Sequence, residues 1–394
     1  METPNKGDSR WGSLFKNDLQ GMLLPILLIT IIGSVNIFSA TYISSIYENT
    51  GLLGYFLKHM TFLLLSMAVG VILYRYDYRQ LQKPHMLQRI MIVTLIGMIL
   101  VLVIGAVING ARRWIVIGPV SIQPSEFAKL AALIWTAAKL STMRKWGKPR
   151  HINPLINLQG YFSERISYML PMLIWPTIFA ILTILQPDMG TTVLIFGFSF
   201  VLIYLAGFDG KFFGGAFAIA GFLGFIAARM SPYRWERIQS WFDPWPHAQD
   251  MGYQTVQGLL AVGSGGILGE GFMQGTSKYF YLPEAHTDFA FAVWAQEMGF
   301  IGAVFVVVLI AAFTYFGFRI SNKARDEFGK WLAMGITLLI SGQALFNIAM
   351  VCGIMPVTGI PLPFLSYGVS ALTTNMLSIG ILLNIARQRT KYIF

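Results

Sequence analysis

The stretch PEAHTDFAFAVWAQEMGFIGAVFVVVLIAAFTYFGF, residues 283–318, opens with titratable side chains and continues as an apolar run. Glu284, His286 and Asp288 fall within five residues. The apolar run after them is long enough to cross a bilayer core of about 30 Å as a helix. Runs of this kind recur from end to end of the 394 residues, of which 55% are hydrophobic and only 12% charged, with a mean hydropathy of +0.60. An ordinary soluble domain carries roughly 25% charged residues. The chain therefore reads as an all-α polytopic membrane protein. A membrane β-barrel would show short alternating segments, and none is visible.

Ten spans are expected, near 21–43, 55–74, 88–108, 124–142, 167–187, 189–207, 212–229, 287–318, 331–355 and 368–386. Lys and Arg set the orientation, because basic residues stay on the cytoplasmic side. With the N-terminus inside, 20 of the 29 basic residues lie inside and seven outside, while Lys129 and Lys139 fall within spans. Both termini are thus expected in the cytoplasm, with tails at 1–20 and 387–394 around one membrane domain at 21–386. The net charge of +11 then faces anionic lipid rather than nucleic acid. One large segment, 230–286, remains outside between the seventh and eighth spans. The apolar stretch after residue 20 is too long for a signal-peptide core, so a retained first span is expected.

Several chemistries are poorly served. Cys352 is the only cysteine, so neither an internal disulfide nor a cysteine metal site is available. No HExxH or D-x-D pattern points to a metal. The Gly-rich GSGGILGEGF, 263–272, lacks the GK[ST] ending of a nucleotide loop and reads as flexible turns.

Four segments concentrate polar groups. An Asp ahead of a helix is commonly its N-cap, but Glu284 and His286 beside Asp288 exceed what capping needs. In NGARRWIVIGPVSIQPSEFAKL, 109–130, Glu126 and Lys129 share a helix face. Ionised groups inside a membrane cost about 2.5–3.5 kcal/mol, so they pair or line a cavity. This pair is either a structural ion pair or a polar wall offering a cation to a phosphate. YRWERIQSWFDPW, 233–245, places Arg234 and Arg237 on one helix face beside aromatics, as an interfacial helix would. Arginines there can also hold a lipid-linked phosphate. Asp188 in QPDMGTT, 186–192, reads as a cap, and PVTGIPLPFLSYG, 356–368, reads as a stiff external loop.

Together NGARRWI, QPSEFAK, QPDMGT, YR-x-x-R with DPW, GYQTVQ, GSGG, LPEAHTDFAFA and PVTGIPLPF-SYG resemble the FtsW/RodA/SpoVE family, the SEDS proteins, from the first span to the last. EAHTDF is closer to the division and sporulation members than to the elongation members, which more often read ERHTDF. SYGVSA departs from the usual SYGGSS at Val369, so no catalytic role is assigned there.

The resemblance implies a peptidoglycan glycosyltransferase that polymerises lipid II on the outer face of the bacterial cytoplasmic membrane, releasing undecaprenyl pyrophosphate. It implies that Asp288 is the essential catalytic residue, and places the family's Arg, Glu and Lys on Arg113, Glu126 and Lys129. It also implies a class B penicillin-binding transpeptidase as partner, with other divisome or elongation membrane proteins nearby. The chemistry needs one base and several cations, because the leaving pyrophosphate is a stable anion. Asp288 would be the base, and Arg113, Lys129, Arg234 and Arg237 would stabilise the departing phosphates, with His286 tuning or replacing the base. No cofactor is required, and a divalent cation, Mg or Mn, would arrive with the substrate. The rival reading is a lipid II flippase, for which Glu126 and Lys129 would line a headgroup path.

Overall fold

The computed structural model describes residues 18–48, 51–108, 110–118, 120–143, 157–208, 210–230, 232–279 and 281–390. In chain order the elements are α1 (Asp18–Tyr47), α2 (Gly54–Arg75), α3 (Pro84–Ile104), β1 (Ala106–Ile108), β2 (Ala111–Ile117), β3 (Val120–Ile122) and α4 (Pro124–Met143). The chain continues through α5 (Leu158–Leu185), α6 (Met189–Leu205), α7 (Gly210–Arg229), α8 (Pro232–Phe242), α9 (Tyr253–Ser264), α10 (Ala290–Asn322), α11 (Glu327–Val351) and α12 (Val369–Thr390).

Each expected span falls on a helix, while α8 and α9 lie within the large segment before α10. Seven described helices are long and apolar enough to cross a membrane: α1, α2, α3, α5, α10, α11 and α12. Helix α6 is apolar but has 17 residues, and α4 carries Glu126, Lys129 and Lys139. Leu64, Ile72, Val93 and Val103 are all exposed on α2 and α3. Such a surface is unsuited to water and suited to lipid. Helix α12 is 72% buried against 22% for α3, so the C-terminal helices form the centre and α3 a lipid-facing wall.

The third span ends earlier than expected. Helix α3 stops at Ile104, and β1, β2 and β3 pair as an antiparallel sheet in the order β1-β2-β3 rather than continuing as helix and loop. Hydropathy does not register the change because AVI and WIVI are as apolar as the helix before them. Gly110 and Gly118, at φ +75 and +58, provide the left-handed turns between strands.

Two further departures shape the site. Helix α10 is broken at Gly299, which has φ 66 and ψ −167. The Gly-rich segment docks into that break: the amides of Glu270 and Gly271 bond the carbonyls of Gln296 and Glu297, and those of Phe300 and Ile301 bond Gly266 and Ile267. A Cβ at Gly269 would lie 2.1 Å from the Glu297 carbonyl oxygen. These glycines serve close backbone approach, not the flexible turns expected from composition.

The proline-rich loop 356–368 is not simply external either. Ile360, Leu362, Phe364 and Leu365 are buried. A Cβ at Gly33, midway along α1, would lie 2.1 Å from the Phe364 carbonyl oxygen. The loop thus re-enters the bundle, which non-helical backbone can do only where protein satisfies its polar groups. Gln343 Nε2 donates to Pro361 O at 2.9 Å, Asn347 Nδ2 to Ile360 O at 2.7 Å, and Leu362 N to Ser366 Oγ at 2.9 Å.

Candidate active site

Asp288 sits two residues before α10 on a turned segment. Glu284, at φ +55, bends the chain, and its carbonyl accepts from the amides of Thr287 and Phe289. The carbonyl of His286 accepts from Tyr367 N at 2.9 Å, and that of Asp288 from Asn347 Nδ2 at 2.7 Å. The backbone is therefore pinned on both sides of the acid. Its carboxylate is not a cap, since the N-cap of α10 is Phe289. It accepts no hydrogen bond among the described residues and stands beside Gly359, whose Cβ would be 3.4 Å from Oδ2. A half-buried carboxylate with free oxygens is prepared to take a proton from something else.

Burial, with Glu284 and Asp188 adding negative potential, pushes the Asp288 carboxyl up to about 7, while Arg113 pulls it down. Arg113, on β2, donates Nε–H to Gln186 O at 3.2 Å and a terminal N–H to Pro187 O. Asp188 caps α6, accepting from Thr191 N at 3.0 Å, Thr191 Oγ1 at 2.8 Å and Gln123 Nε2 at 3.2 Å. The capping role expected of Asp188 is realised, and its negative charge is held close enough to act on Asp288.

His286 lies within an aromatic group, its ring centroid 5.8 Å from Tyr55 and 5.7 Å from Tyr367. Burial lowers its pKa, so it is neutral at neutral pH. Arg237 on α8 donates to Val357 O at 3.2 Å and so reaches the re-entrant loop. Arg234 shares that helix, but its side chain lies outside the described residues. Glu126 and Lys129 form a buried pair with Nζ 2.8 Å from Oε1, and Nζ also donates to Gln343 Oε1 at 2.9 Å. That ammonium is engaged by two acceptors, and Gln343 relays the pair to Pro361. Among the described residues no three His, Cys, Asp or Glu side chains gather as metal ligands. Asp188 accepts through both carboxylate oxygens, and Glu284 accepts from Thr287 Oγ1 at 2.6 Å.

Residue types alone missed four positioning side chains. Gln343 and Asn347 are a Q-x-x-x-N pair on one face of an apolar helix, a signal that they must satisfy something buried. Lys278 and Glu297 form a second buried pair at 2.6 Å, with Ser39 Oγ donating to Glu297 at 2.6 Å. This clamp ties the segment before Asp288 to α1 and to the first part of α10. Glu297 in the apolar run was the readable clue to it.

A bundle of membrane helices, a re-entrant loop and, among the described residues, a carboxylate free of hydrogen bonds within the influence of Arg113 define a polytopic membrane protein with a polar candidate site. The chain belongs to the FtsW/RodA/SpoVE family of cell cycle proteins, whose family model matches residues 20–391. It is 35% identical over 372 residues to stage V sporulation protein E of Bacillus subtilis, covering 94% of this chain and 97% of that one. It is 31% identical to the probable peptidoglycan glycosyltransferase FtsW of the same organism, covering 93% and 89%. A solved chain from a peptidoglycan synthase complex that coordinates polymerisation and crosslinking superposes with a TM-score of 0.74 at 26% identity, covering 95% and 98%. Rod shape determining protein RodA of Thermus thermophilus superposes at 0.63 with 25% identity, covering 94% and 96%.

Proposed function

We propose that this chain is a peptidoglycan glycosyltransferase that joins lipid II units into glycan strands, with Asp288 as the base. The observation that carries the reading is the free carboxylate of Asp288, poised near neutral pH beside Arg113. A base whose pKa lies near the working pH is best matched to proton transfer. The acceptor sugar hydroxyl gives its proton to Asp288 as its oxygen bonds the donor's anomeric carbon. The bond from that carbon to the pyrophosphate oxygen breaks, and undecaprenyl pyrophosphate leaves with both electrons. Direct attack inverts the anomeric centre.

Arg113, Arg234 and Arg237 supply positive charge to the leaving pyrophosphate, and Lys129 reaches a phosphate by exchanging Gln343 for it. Glu126 holds Lys129 in the wall, and His286 shapes the acceptor side as a neutral ring. A divalent cation, where used, travels with the pyrophosphate. An apolar groove of about 700 Å³ between α2, α3, α4 and α12, lined by Ile72, Ile90, Val93, Phe127 and Ile381, suits the polyprenyl chain.

In this reading the membrane domain spans 21–386 in ten passes of the bacterial cytoplasmic membrane. Both termini are cytoplasmic, and 230–286 and the active site are outside. The similarity to a chain of a polymerising and crosslinking complex supports a class B penicillin-binding transpeptidase as partner. The test is polymerisation of fluorescent lipid II by purified protein with its co-expressed transpeptidase, whose own active site is blocked. Ladders from wild type and none from Asp288→Ala are expected. Equal ladders from both would overturn the assignment of the base. Ladders from neither, with substrate and partner shown competent, would turn the reading to lipid II translocation.

A further inference from the structure

At the opposite end of α4 from the candidate active site lies a crevice that the proposed reaction does not use. It holds about 460 Å³ between the start of α3, the end of α4 and the α2–α3 linker. Its walls are Pro84, Leu87, Trp135 and Ala138, and its cations are Arg79, Lys83 and Lys139. Arg79 is paired with Asp77 at 3.3 Å. Lys83 and Lys139 have no carboxylate partner among the described residues.

Lys139 is the informative residue. A lysine near the end of a membrane helix normally extends its ammonium toward water. Here Nζ is turned back one helical turn and sits 4.4 Å from the centre of the Trp135 ring. The indole is held for it: Nε1 donates to Pro171 O at 2.9 Å, and its ring meets Trp175 edge-on at 6.1 Å. The other lysine of the same helix, Lys129, is balanced by Glu126. Among the described residues Lys139 meets only a π face, which contributes about 0.5–2 kcal/mol and supplies no negative charge.

We propose that this crevice binds the phosphate of an anionic phospholipid from the cytoplasmic leaflet, with Lys83 and Lys139 on the phosphate and the apolar walls against the first part of an acyl chain. Basic pockets between helices at the cytoplasmic face are suited to such headgroups. The leaflet provides anionic phosphate at this depth together with a hydrocarbon tail, which matches a largely apolar cavity carrying the cations Arg79, Lys83 and Lys139. The inference rests on the proposed membrane orientation, with both termini cytoplasmic, and is independent of the chemistry at Asp288.

The experiment uses the full chain in nanodiscs of phosphatidylcholine with a minority of phosphatidylglycerol, with retained lipid counted by native mass spectrometry. Wild type retains phosphatidylglycerol selectively. The double variant Lys83→Gln/Lys139→Gln loses affinity by roughly thirty-fold, about fivefold per lysine. Lys83→Arg/Lys139→Arg restores it, and Arg75→Gln, on the same side but outside the crevice, changes nothing. An unaltered melting midpoint of the Gln double variant in pure phosphatidylcholine shows that it is folded. Equal retention by wild type and the folded Gln variant overturns the site. If inorganic phosphate stabilises wild type as much as phosphatidylglycerol does, the ligand is free phosphate and the lipid assignment falls. Labelling of Thr142→Cys, in a Cys352→Ala background, by an impermeant thiol reagent from outside the cell would place the crevice on the wrong leaflet. That outcome and failure of the Asp288 test are read in separate assays.

Discussion

The side-chain amide of Asn347 donates at 2.7 Å to the carbonyl of Asp288 and, through its other hydrogen, at 2.7 Å to the carbonyl of Ile360. One residue of α11 thus fixes the catalytic candidate and the re-entrant loop relative to each other. Asn347→Leu leaves two carbonyls unsatisfied and is expected to cost about 2–4 kcal/mol of stability. In protein that remains folded, kcat should fall by at least tenfold with little change in KM. Single-turnover polymerisation beside a melting curve checks both parts; a stable variant with wild-type kcat would show that Asn347 does not position Asp288.

The elevated carboxyl of Asp288 predicts the pH profile. Only the deprotonated form can accept the sugar proton, so kcat/KM should rise with pH and level off above an apparent pKa of about 7. Arg113 pulls that value down, so Arg113→Gln should move the rising limb to higher pH. Asp188 pushes it up, so Asp188→Asn, which retains a capping oxygen, should move the limb lower. Profiles of the three proteins give the signs directly.

Removing the acid should stabilise the protein while ending catalysis. Between pH about 4 and about 7 the folded state keeps a proton on Asp288 that the unfolded state releases. That group's contribution therefore favours folding less as pH rises through this window, and above about 7 the full burial penalty of the anion applies. Asp288→Asn carries no such penalty. Its melting midpoint should exceed that of wild type at about pH 8, and the two should converge near pH 4. Its polymerisation rate should drop on the order of 10²–10⁴-fold.

The buried Glu126–Lys129 pair predicts an asymmetric mutant series. Lys129→Met strands a buried carboxylate and should cost about 3–5 kcal/mol. Glu126→Gln/Lys129→Met should recover much of that loss. If the folded double variant still polymerises at the wild-type rate, the pair is structural and its assignment to the pyrophosphate fails.

Helix packing at the centre depends on bare backbone. A Cβ at Gly380 of α12 would lie 2.3 Å from the carbonyl oxygen of Gly70 on α2, whereas one at Gly97 would meet only a Pro124 side chain at 3.5 Å. Gly380→Ala should lower the melting midpoint by several degrees, and Gly97→Ala should leave it unchanged or raise it.

The sequence by itself determined the helical membrane architecture, the order of its helices and the candidate residues of the site. Long apolar runs mark membrane helices whatever surrounds them, and a carboxylate ahead of such a run is conspicuous because its burial is costly. The same logic marks Asp288 and the pair Glu126 and Lys129, whereas Arg113 is singled out only by the family resemblance of NGARRWI. Tertiary structure decided what each of these groups touches. Hydropathy records a segment's preference for oil and does not record which partner satisfies its backbone. It therefore continued α3 through the strand Ala106–Ile108 and left the loop 356–368 outside the bundle. Folding the loop inward requires Gln343 and Asn347 at its carbonyls and bare glycine at Gly33, contacts made across distant parts of the chain. Asp288 itself could have been a cap by sequence; it is free because Phe289 takes that position and Asn347 holds the backbone from the far side.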